Sequence, residues 1–598
     1  MKPYILALSL LAALLFAGPA SAQTPQLSPT PQDIMWQGGK AFRISKQLKI
    51  KHIEQQDTTT LQLLRRTFSL GKVGTTLVMG IRGSADVKPY DHLIPSVAEG
   101  YYLRVEEKRI ILAANDARGL FYGAQTLRQL ARQEKVQSVV IRDYPSVSLR
   151  GVVEGFYGNP YSHRDRLSLF EFMGEQKMNF YLYGPKDDAY HRDRWREPYP
   201  AEQGQRISSL AAEARRQGVD FVWAIHPGLD IQWTHADSLA IIKKLQLMYD
   251  LGVRSFAIFF DDISGQGSNA HKQAALTNYI YEQFIDQHAD VKPLIFCPTQ
   301  YTREWMTDDY IDILGAQTRR DMKIMFTGYV VVNMIEADDA QWVNRRIGRK
   351  VLAWLNYPVS DYCVSHLLMG PTYGNSPQLD AHISGLCTNP MEYAEASKVS
   401  IFSVADFCWN TRAYQPQQSW NQAIKLLMPH HEQAFRRFCQ ANIDAGPNYH
   451  RFRRDGETPQ FRETQRAAQK LLREGDTLAA AQRMKTYFSE MEQAADELLH
   501  SQENAPLIEE ITPWLQVMKL VAQRGNTLQD MLIAKTQNDR QRLAAQAETY
   551  QCLLKEQQAV RSRDFEGSIK HPNPEVATTF VEPYLKEMAK TLELKIEN

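Results

Sequence analysis

The chain has 598 residues, 43% hydrophobic and 23% charged, which is the composition of ordinary globular material long enough for about two to four domains. Its 69 basic and 68 acidic side chains almost cancel, so no global field recruits nucleic acid or an anionic membrane surface. Six scattered cysteines without C-x-x-C or zinc spacing argue against a metal knot, and buried free thiols are the expectation for all of them.

The N-terminus, "MKPYILALSLLAALLFAGPASAQ", joins Lys2, an apolar run and Ala20-Ser21-Ala22. This order reads as a signal peptide over residues 1–22, so the mature chain is expected to be exported to the periplasm or secreted. The run is short for a membrane anchor. Residues 23–145 follow as a small α/β domain. Alternating runs such as "TTLVMGIRG", "GYYLRVEEKRIILAA" and "SVVIRDYP" predict antiparallel strands, and "DARGLFYGAQTLRQL" has the spacing of an amphipathic helix.

From residue 146 to 432 short apolar runs recur about every 30 to 45 residues, with helical stretches between them. They are "LRGVVEGFYG", "NFYLYGPKDD", "DFVWAIHPG", "FAIFFDDISG", "PLIFCPTQY", "KIMFTGYVV", "VLAWLNYPVSD" and "SGLCTNPM". Eight strand–helix units predict a parallel (β/α)8 barrel with its chemistry at the C-terminal strand ends. The fold class expected is therefore α/β, a central barrel preceded by a small α/β domain and followed by an all-helical domain over residues 433–598. In the last, "TPWLQVMKLVAQRG" predicts a helix capped by Thr512 with Pro513 at its first position.

The fourth strand ends in two adjacent carboxylates, Asp261 and Asp262. Capping of a loop would explain them alone, but the barrel places them where a site belongs. Two carboxyl groups so close do not both ionise freely, which provides a proton donor and a charged orienting group. Cleaving a glycosidic bond needs such a donor. The usual two carboxylates stand about 5 Å or more apart, whereas neighbouring Cα atoms are only about 3.8 Å apart. The nucleophile is then expected from elsewhere, and a 2-acetamido group on the sugar can supply it. Asp187 and Asp188 form a competing pair at the end of the second strand, with loop capping as the simpler role. His226 in "AIHPG" is not assigned to catalysis, since no partner at ligand spacing points to a metal.

The blocks "RGVVEGFYGNPYSH", "YLYGPKDDAYH", "FVWAIHPG", "VRSFAIFFDDISG", "CPTQY", "WLNYPVSDY" and "TNPMEYAEASK", in this order, strongly resemble glycoside hydrolase family 84, the bacterial O-GlcNAcase-like β-N-acetylglucosaminidases. The resemblance spans nearly the whole mature chain. It implies a retaining exo-β-N-acetylglucosaminidase that works through an oxazoline intermediate, without cofactor or metal, on GlcNAc-bearing glycans or glycoproteins. It implies that Asp261 orients the acetamido group and that Asp262 is the general acid and then the base. Tyr301 would bond near the acetamido group, and Lys186 and the Gly155 backbone would hold sugar hydroxyls. Asn356 would grip the acetamido end, Asp361 the 4- and 6-hydroxyls, and Asn389 another hydroxyl. Trp354 would wall the acetamide methyl, with Thr327 and Val331 lining the pocket. Phe326, Tyr329 and Val330 depart from the family pattern, which locates the expected differences at the edge facing the departing group, and Leu355 replaces a second aromatic after Trp354. Two other readings stand beside this one: a non-catalytic GlcNAc-glycan-binding protein on the same barrel, and a metal-dependent hydrolase using Asp261, Asp262 and His226.

Overall fold

The structure is a computed structural model that describes residues 26–454, 456–562 and 573–594, so the expected signal peptide lies outside the described residues. Two compact units divide at Tyr144/Pro145.

The first unit carries a seven-stranded sheet. In chain order its strands are β1 (Asp33–Trp36), β2 (Gln47–Ile50), β3 (Ser69–Gly71), β4 (Thr75–Ile81), β5 (Tyr101–Glu106), β6 (Arg109–Ala114) and β7 (Val139–Asp143), with α1 (Thr58–Arg65) and α2 (Ala117–Arg132) between them. The spatial order is β1-β7-β5-β6-β4-β2-β3. The all-antiparallel expectation is corrected here: β2 runs parallel to β3 and β4, and β4 parallel to β6. Alternation reports which face a side chain takes and not the direction of its neighbour, and the crossover helix α1 makes the parallel pairing of β2 and β3 feasible. The amphipathic stretch is α2, capped by Asp116, whose carboxylate accepts from Gly119 N at 2.8 Å.

The second unit begins with the barrel. Its alternation runs β8 (Leu149–Glu154), α3 (His163–Glu175), β9 (Phe180–Tyr183), α4 (Ala201–Arg216), β10 (Asp220–Ile225), α5 (His235–Asp250), β11 (Ser255–Phe259), α6 (Ala270–Gln283) and β12 (Ile295–Cys297). It continues with α7 (Asp308–Gln317), β13 (Lys323–Phe326), α8 (Ala337–Ile347), β14 (Val351–Leu355), β15 (Ile383–Thr388) and α9 (Ala394–Trp409). All eight strands pair in parallel and close through β15–β8. The seventh unit departs from the strand–helix expectation. Residues 356–382, between β14 and β15, hold one 3-10 turn at Leu379–Ala381 and no α-helix.

Two apolar layers follow from the strand period of two. Inside the barrel lie Val153, Leu182, Ala224, Ala257, Phe259, Met325, Leu352 and Trp354. The alternate positions, Phe256, Ile258, Phe260, Ile324, Phe326 and Leu355, face the surrounding helices. Phe326 and Leu355 thus sit in the outer layer, fully buried, which for Phe326 corrects the expectation that it shapes the edge of the cavity.

Beyond the barrel come α10 (Pro416–Leu427), α11 (Glu432–Gln440), α12 (Pro459–Arg473), α13 (Thr477–Leu499), α14 (Ala505–Thr536), α15 (Arg540–Ala559) and α16 (Val581–Thr591). The expected start at Thr512 is corrected: α14 begins at Ala505 and carries Pro513 in its interior. The Thr512 hydroxyl bonds back to Ile508 O at 2.7 Å. Burial of Leu507, Ile508, Ile511 and Trp514 outweighs the lost backbone bond, which costs about 3 kcal/mol in an exposed helix. Of the cysteines, Cys552 on α15 is exposed, against expectation, while the other five are buried free thiols. No helix among the described residues is long and apolar enough to cross a membrane.

The buried Glu510 on α14 ties the helices to the barrel. Its carboxylate accepts from Glu395 N at 2.8 Å and Ala396 N at 3.0 Å, in the first turn of α9. Burial pushes this carboxyl up to about 8, and burial likewise raises Glu457 to about 7. The folded protein holds these protons over a range in which the unfolded chain, with carboxyls near 4.5, has released them. Folding stability is therefore lost as pH rises from the unfolded value through the folded one. We expect Glu510→Gln, which keeps an acceptor for both amides, to flatten the decline of Tm between about pH 5 and pH 8. Thermal unfolding followed by circular dichroism checks this, and a Tm profile parallel to that of the parent refutes it.

Candidate active site

The C-terminal ends of the strands surround a cavity of about 430 Å³. The residues to which the family resemblance gives a role all converge on it: Gly155, Lys186, Asp261, Asp262, Tyr301, Thr327, Val331, Trp354, Asn356, Asp361 and Asn389.

The arrangement starts with β11. Ala257 and Phe259 point into the barrel and Phe260 points out, so Asp261 points in and a regular strand would turn Asp262 away. Asp262 instead has φ 54°, in the left-handed region, and this breaks the alternation. Asp tolerates that region better than most residues. Both carboxylates consequently line one cavity, and they are not equivalent. The side chain of Asp261 is 6% exposed and that of Asp262 is 35%.

Lys186, in the loop after β9, donates to Asp261 Oδ2 at 2.5 Å and stands 4.0 Å from Asp262 Oδ2. Burial alone would raise the Asp261 carboxyl, but the Lys186 ammonium overrides it and holds the group below the usual carboxylate range. The same pairing holds Lys186 above its ordinary value despite burial. This ion pair is a role for Lys186 that its position in the sequence did not reveal. Asp261 Oδ1 is buried and has no hydrogen-bond partner among the described residues. It is an unpaired acceptor on a residue that lines the cavity.

Each oxygen of Asp262 accepts from a phenol, Oδ1 from Tyr301 at 2.7 Å and Oδ2 from Tyr157 at 2.9 Å. Burial, and then the Asp262 charge, pushes the Tyr301 hydroxyl far up, so it remains a donor. Tyr157 N donates to Asp361 Oδ2 at 3.0 Å, and burial raises the Asp361 carboxyl. Asn356 Oδ1 accepts from Trp354 Nε1 at 2.8 Å and from Asn389 Nδ2 at 3.0 Å, while Asn356 Nδ2 donates to Val331 O at 2.8 Å. These bonds leave Asn389 Oδ1 buried without a partner among the described residues.

Of the competing pair, Asp188 has a structural role. Asp188 accepts from Tyr183 OH at 2.8 Å, Tyr199 OH at 2.7 Å and Tyr190 N at 2.9 Å, which holds the loop after β9. Neither Asp187 nor Asp188 lines the cavity, and His226 is buried behind it. Among the described residues, no three His, Cys, Asp or Glu side chains converge to hold a metal ion.

Tyr157, Cys297, Trp305, Val332, Val359, Tyr449 and His450, none of them expected from the sequence, also line the cavity. Tyr157 and Cys297 lie inside strand-end motifs and were legible as neighbours of the chosen residues. Tyr449 and His450 belong to the segment after α11, where no strand pattern announces a barrel rim.

Gly155 is needed for a close approach. A Cβ built there would lie 2.7 Å from Trp354 Cζ2 and 2.8 Å from Cη2. Gly155→Ala is expected to displace the indole into the cavity and to cost about 1–3 kcal/mol of stability by overpacking. Denaturant unfolding and a crystal structure of the variant check it, and an unmoved indole with unchanged stability contradicts it.

The family model for beta-N-acetylglucosaminidase matches residues 150–440. The models for glycosyl hydrolase family 20, domain 2, and for the bacterial GH84 post-catalytic domain match residues 24–144 and 460–570. Protein O-GlcNAcase of Rattus norvegicus is 34% identical over 273 residues, 43% of this chain and 29% of the rat protein. The matched part thus spans under a third of the length of that curated relative. The structure of CpGH84B superposes with a TM-score of 0.82 at 30% identity, covering 94% of this chain and all of that one. CpGH84D gives 0.87 at 25% identity over 96% of this chain and all of that one. A Thermobaculum terrenum O-GlcNAc hydrolase mutant gives 0.66 at 26% identity over 75% of this chain and 96% of that one. With its barrel, its flanking domains and a relative matched along its full length, the chain belongs to glycoside hydrolase family 84.

Proposed function

We propose that this family 84 hydrolase is a retaining exo-β-N-acetylglucosaminidase that removes terminal GlcNAc from glycans or glycoproteins by substrate-assisted catalysis. The observation that carries the reading is the free Oδ1 of Asp261. It is a buried acceptor on a carboxylate kept ionised by Lys186, beside a second carboxylate that solvent and substrate reach.

In the first step the acetamido carbonyl oxygen forms a bond to C1 as the glycosidic C1–O bond breaks. Asp262, protonated, gives its proton to the departing oxygen. Asp261 accepts a hydrogen bond from the acetamido N–H and balances the charge of the forming oxazoline ring. In the second step the Asp262 carboxylate takes a proton from water, whose oxygen attacks C1 and opens the ring. Two displacements at C1 retain its configuration. Tyr301 and Tyr157 aim Asp262, and Trp354 with Gly155 packs the floor of the cavity. The rat relative is named an O-GlcNAcase and the Thermobaculum terrenum protein an O-GlcNAc hydrolase, and both names support this substrate class. The charged start and small-residue site of the N-terminus support export.

Loss of a general acid costs about 10²–10⁴-fold. Asp262→Asn is expected to lose that much on GlcNAc glycosides with poor leaving groups and far less on activated aryl glycosides; an equal loss on all of them removes the acid role. Successive fluorination of the N-acyl group is expected to slow turnover steeply, and a flat response in a steady-state series refutes participation of the acetamido group. Lys186→Met leaves burial unopposed at Asp261 and raises its pKa, so the acid limb of kcat/KM moves to higher pH. A pH–rate profile checks the shift, and an unmoved limb contradicts it.

A further inference from the structure

Two buried histidines lie behind the cavity, and neither belongs to the chemistry derived above. His191 sits in the loop after β9 that also carries Lys186, and His226 follows β10. Both side chains are buried, with ring centroids 6.3 Å apart in an edge arrangement.

Their bonds run between the two partners of the ion pair. His191 O accepts from His226 N at 2.9 Å, and His191 Nδ1 is 2.7 Å from Ala224 O on β10. His226 Nε2 is 2.9 Å from Asp261 O and 3.6 Å from Asp261 Oδ1. A backbone carbonyl only accepts, so His191 carries its hydrogen on Nδ1 and His226 on Nε2. The remaining nitrogens, His191 Nε2 and His226 Nδ1, are buried and have no hydrogen-bond partner among the described residues. A second proton on either ring would have no acceptor there. Burial accordingly lowers both groups, His191 to about 4, and both rings stay neutral near pH 7.

The bonds form a closed circuit. The Lys186 loop is fastened to the end of β10 through His191, β10 is fastened to the Asp261 backbone through His226, and the Lys186–Asp261 pair completes the ring. Phe260 N, bonded to Cys297 O at 2.9 Å, holds the other side of the same strand end. We propose that His226, fastened to the Lys186 loop by His191, is a positioning residue that sets the Asp261 carboxylate against Lys186 and fixes the direction of its free oxygen. The functional part of this inference rests on the reading that Asp261 orients the acetamido group. The geometric part stands without it.

A double-mutant cycle tests the proposal with an activated aryl GlcNAc glycoside. His226→Leu, close in volume but without a donor, is expected to lower kcat about 10–10²-fold, the scale of a misplaced reacting group. His226→Gln, which restores an N–H toward the Asp261 carbonyl, is expected to recover most of that loss. In an Asp261→Asn background the further effect of His226→Leu is expected to fall below about threefold, because the group it positions is already disabled. An undiminished loss in that background, or no recovery with Gln, overturns the proposal. Should His226→Leu not fold, His191→Phe against His191→Asn, which keeps an N–H toward Ala224 O, reads the same circuit from its other end. Crystal structures of the parent and the folded variant separate the two readings. A Lys186–Asp261 pair unchanged in the variant refutes the positioning role whatever the turnover, whereas a parent without turnover and a displaced pair in the variant refute only the functional reading.

Discussion

The site depends on one backbone constraint, the left-handed conformation of Asp262 at the end of β11. A strand presents alternate side chains to one side of a sheet, so two consecutive carboxylates ordinarily diverge. Rotating one residue out of the extended region lets both enter a single cavity, and a short polar side chain bears that rotation at small cost. The repulsion this creates is relieved unequally. Lys186 lies against Asp261, and two phenols hold Asp262. The two carboxylates therefore have different environments although their Cα atoms are neighbours, and the chemistry proposed for the site rests on that asymmetry.

The rest of the barrel rim is organised around the same pair. The connection after β14 has no α-helix, and its irregular backbone delivers Asp361 to the cavity and to Tyr157 N. Asn356, at the start of that connection, is spent largely on bonds to Trp354, Asn389 and Val331, which lock three strand ends together. Trp354 reaches its place because Gly155 on the far side has no Cβ to meet it. The groups that line the cavity thus hold one another, and their mutual bonds decide how accurately each is placed.

The helical part of the second unit is more than an appendage. Glu510 caps α9, and Trp514 meets Tyr393 edge-on with centroids 4.9 Å apart, just before that helix begins. The segment preceding α9 carries Asn389, and the segment after α11 supplies Tyr449 and His450 to the cavity. A barrel cut off after α9 would lose part of its own rim.

The sequence by itself determined the eight barrel strands, the helical stretch at its end and the residues that line the cavity from strand termini, because strand period, strand-end polarity and ordered motifs are local properties. Family motifs singled out Asp261 and Asp262 before their place at the cavity was known. Only the tertiary structure decided the parallel pairing in the first sheet, the extension of α14 through Pro513, the outward face of Phe326 and the exposure of Cys552. Each of these depends on what lies opposite in space. The same holds for Lys186, whose place against Asp261 comes from two loops 75 positions apart meeting over the barrel mouth. It holds again for Tyr449 and His450, which no strand pattern marks and which reach the cavity only because helices beyond the barrel fold back onto it.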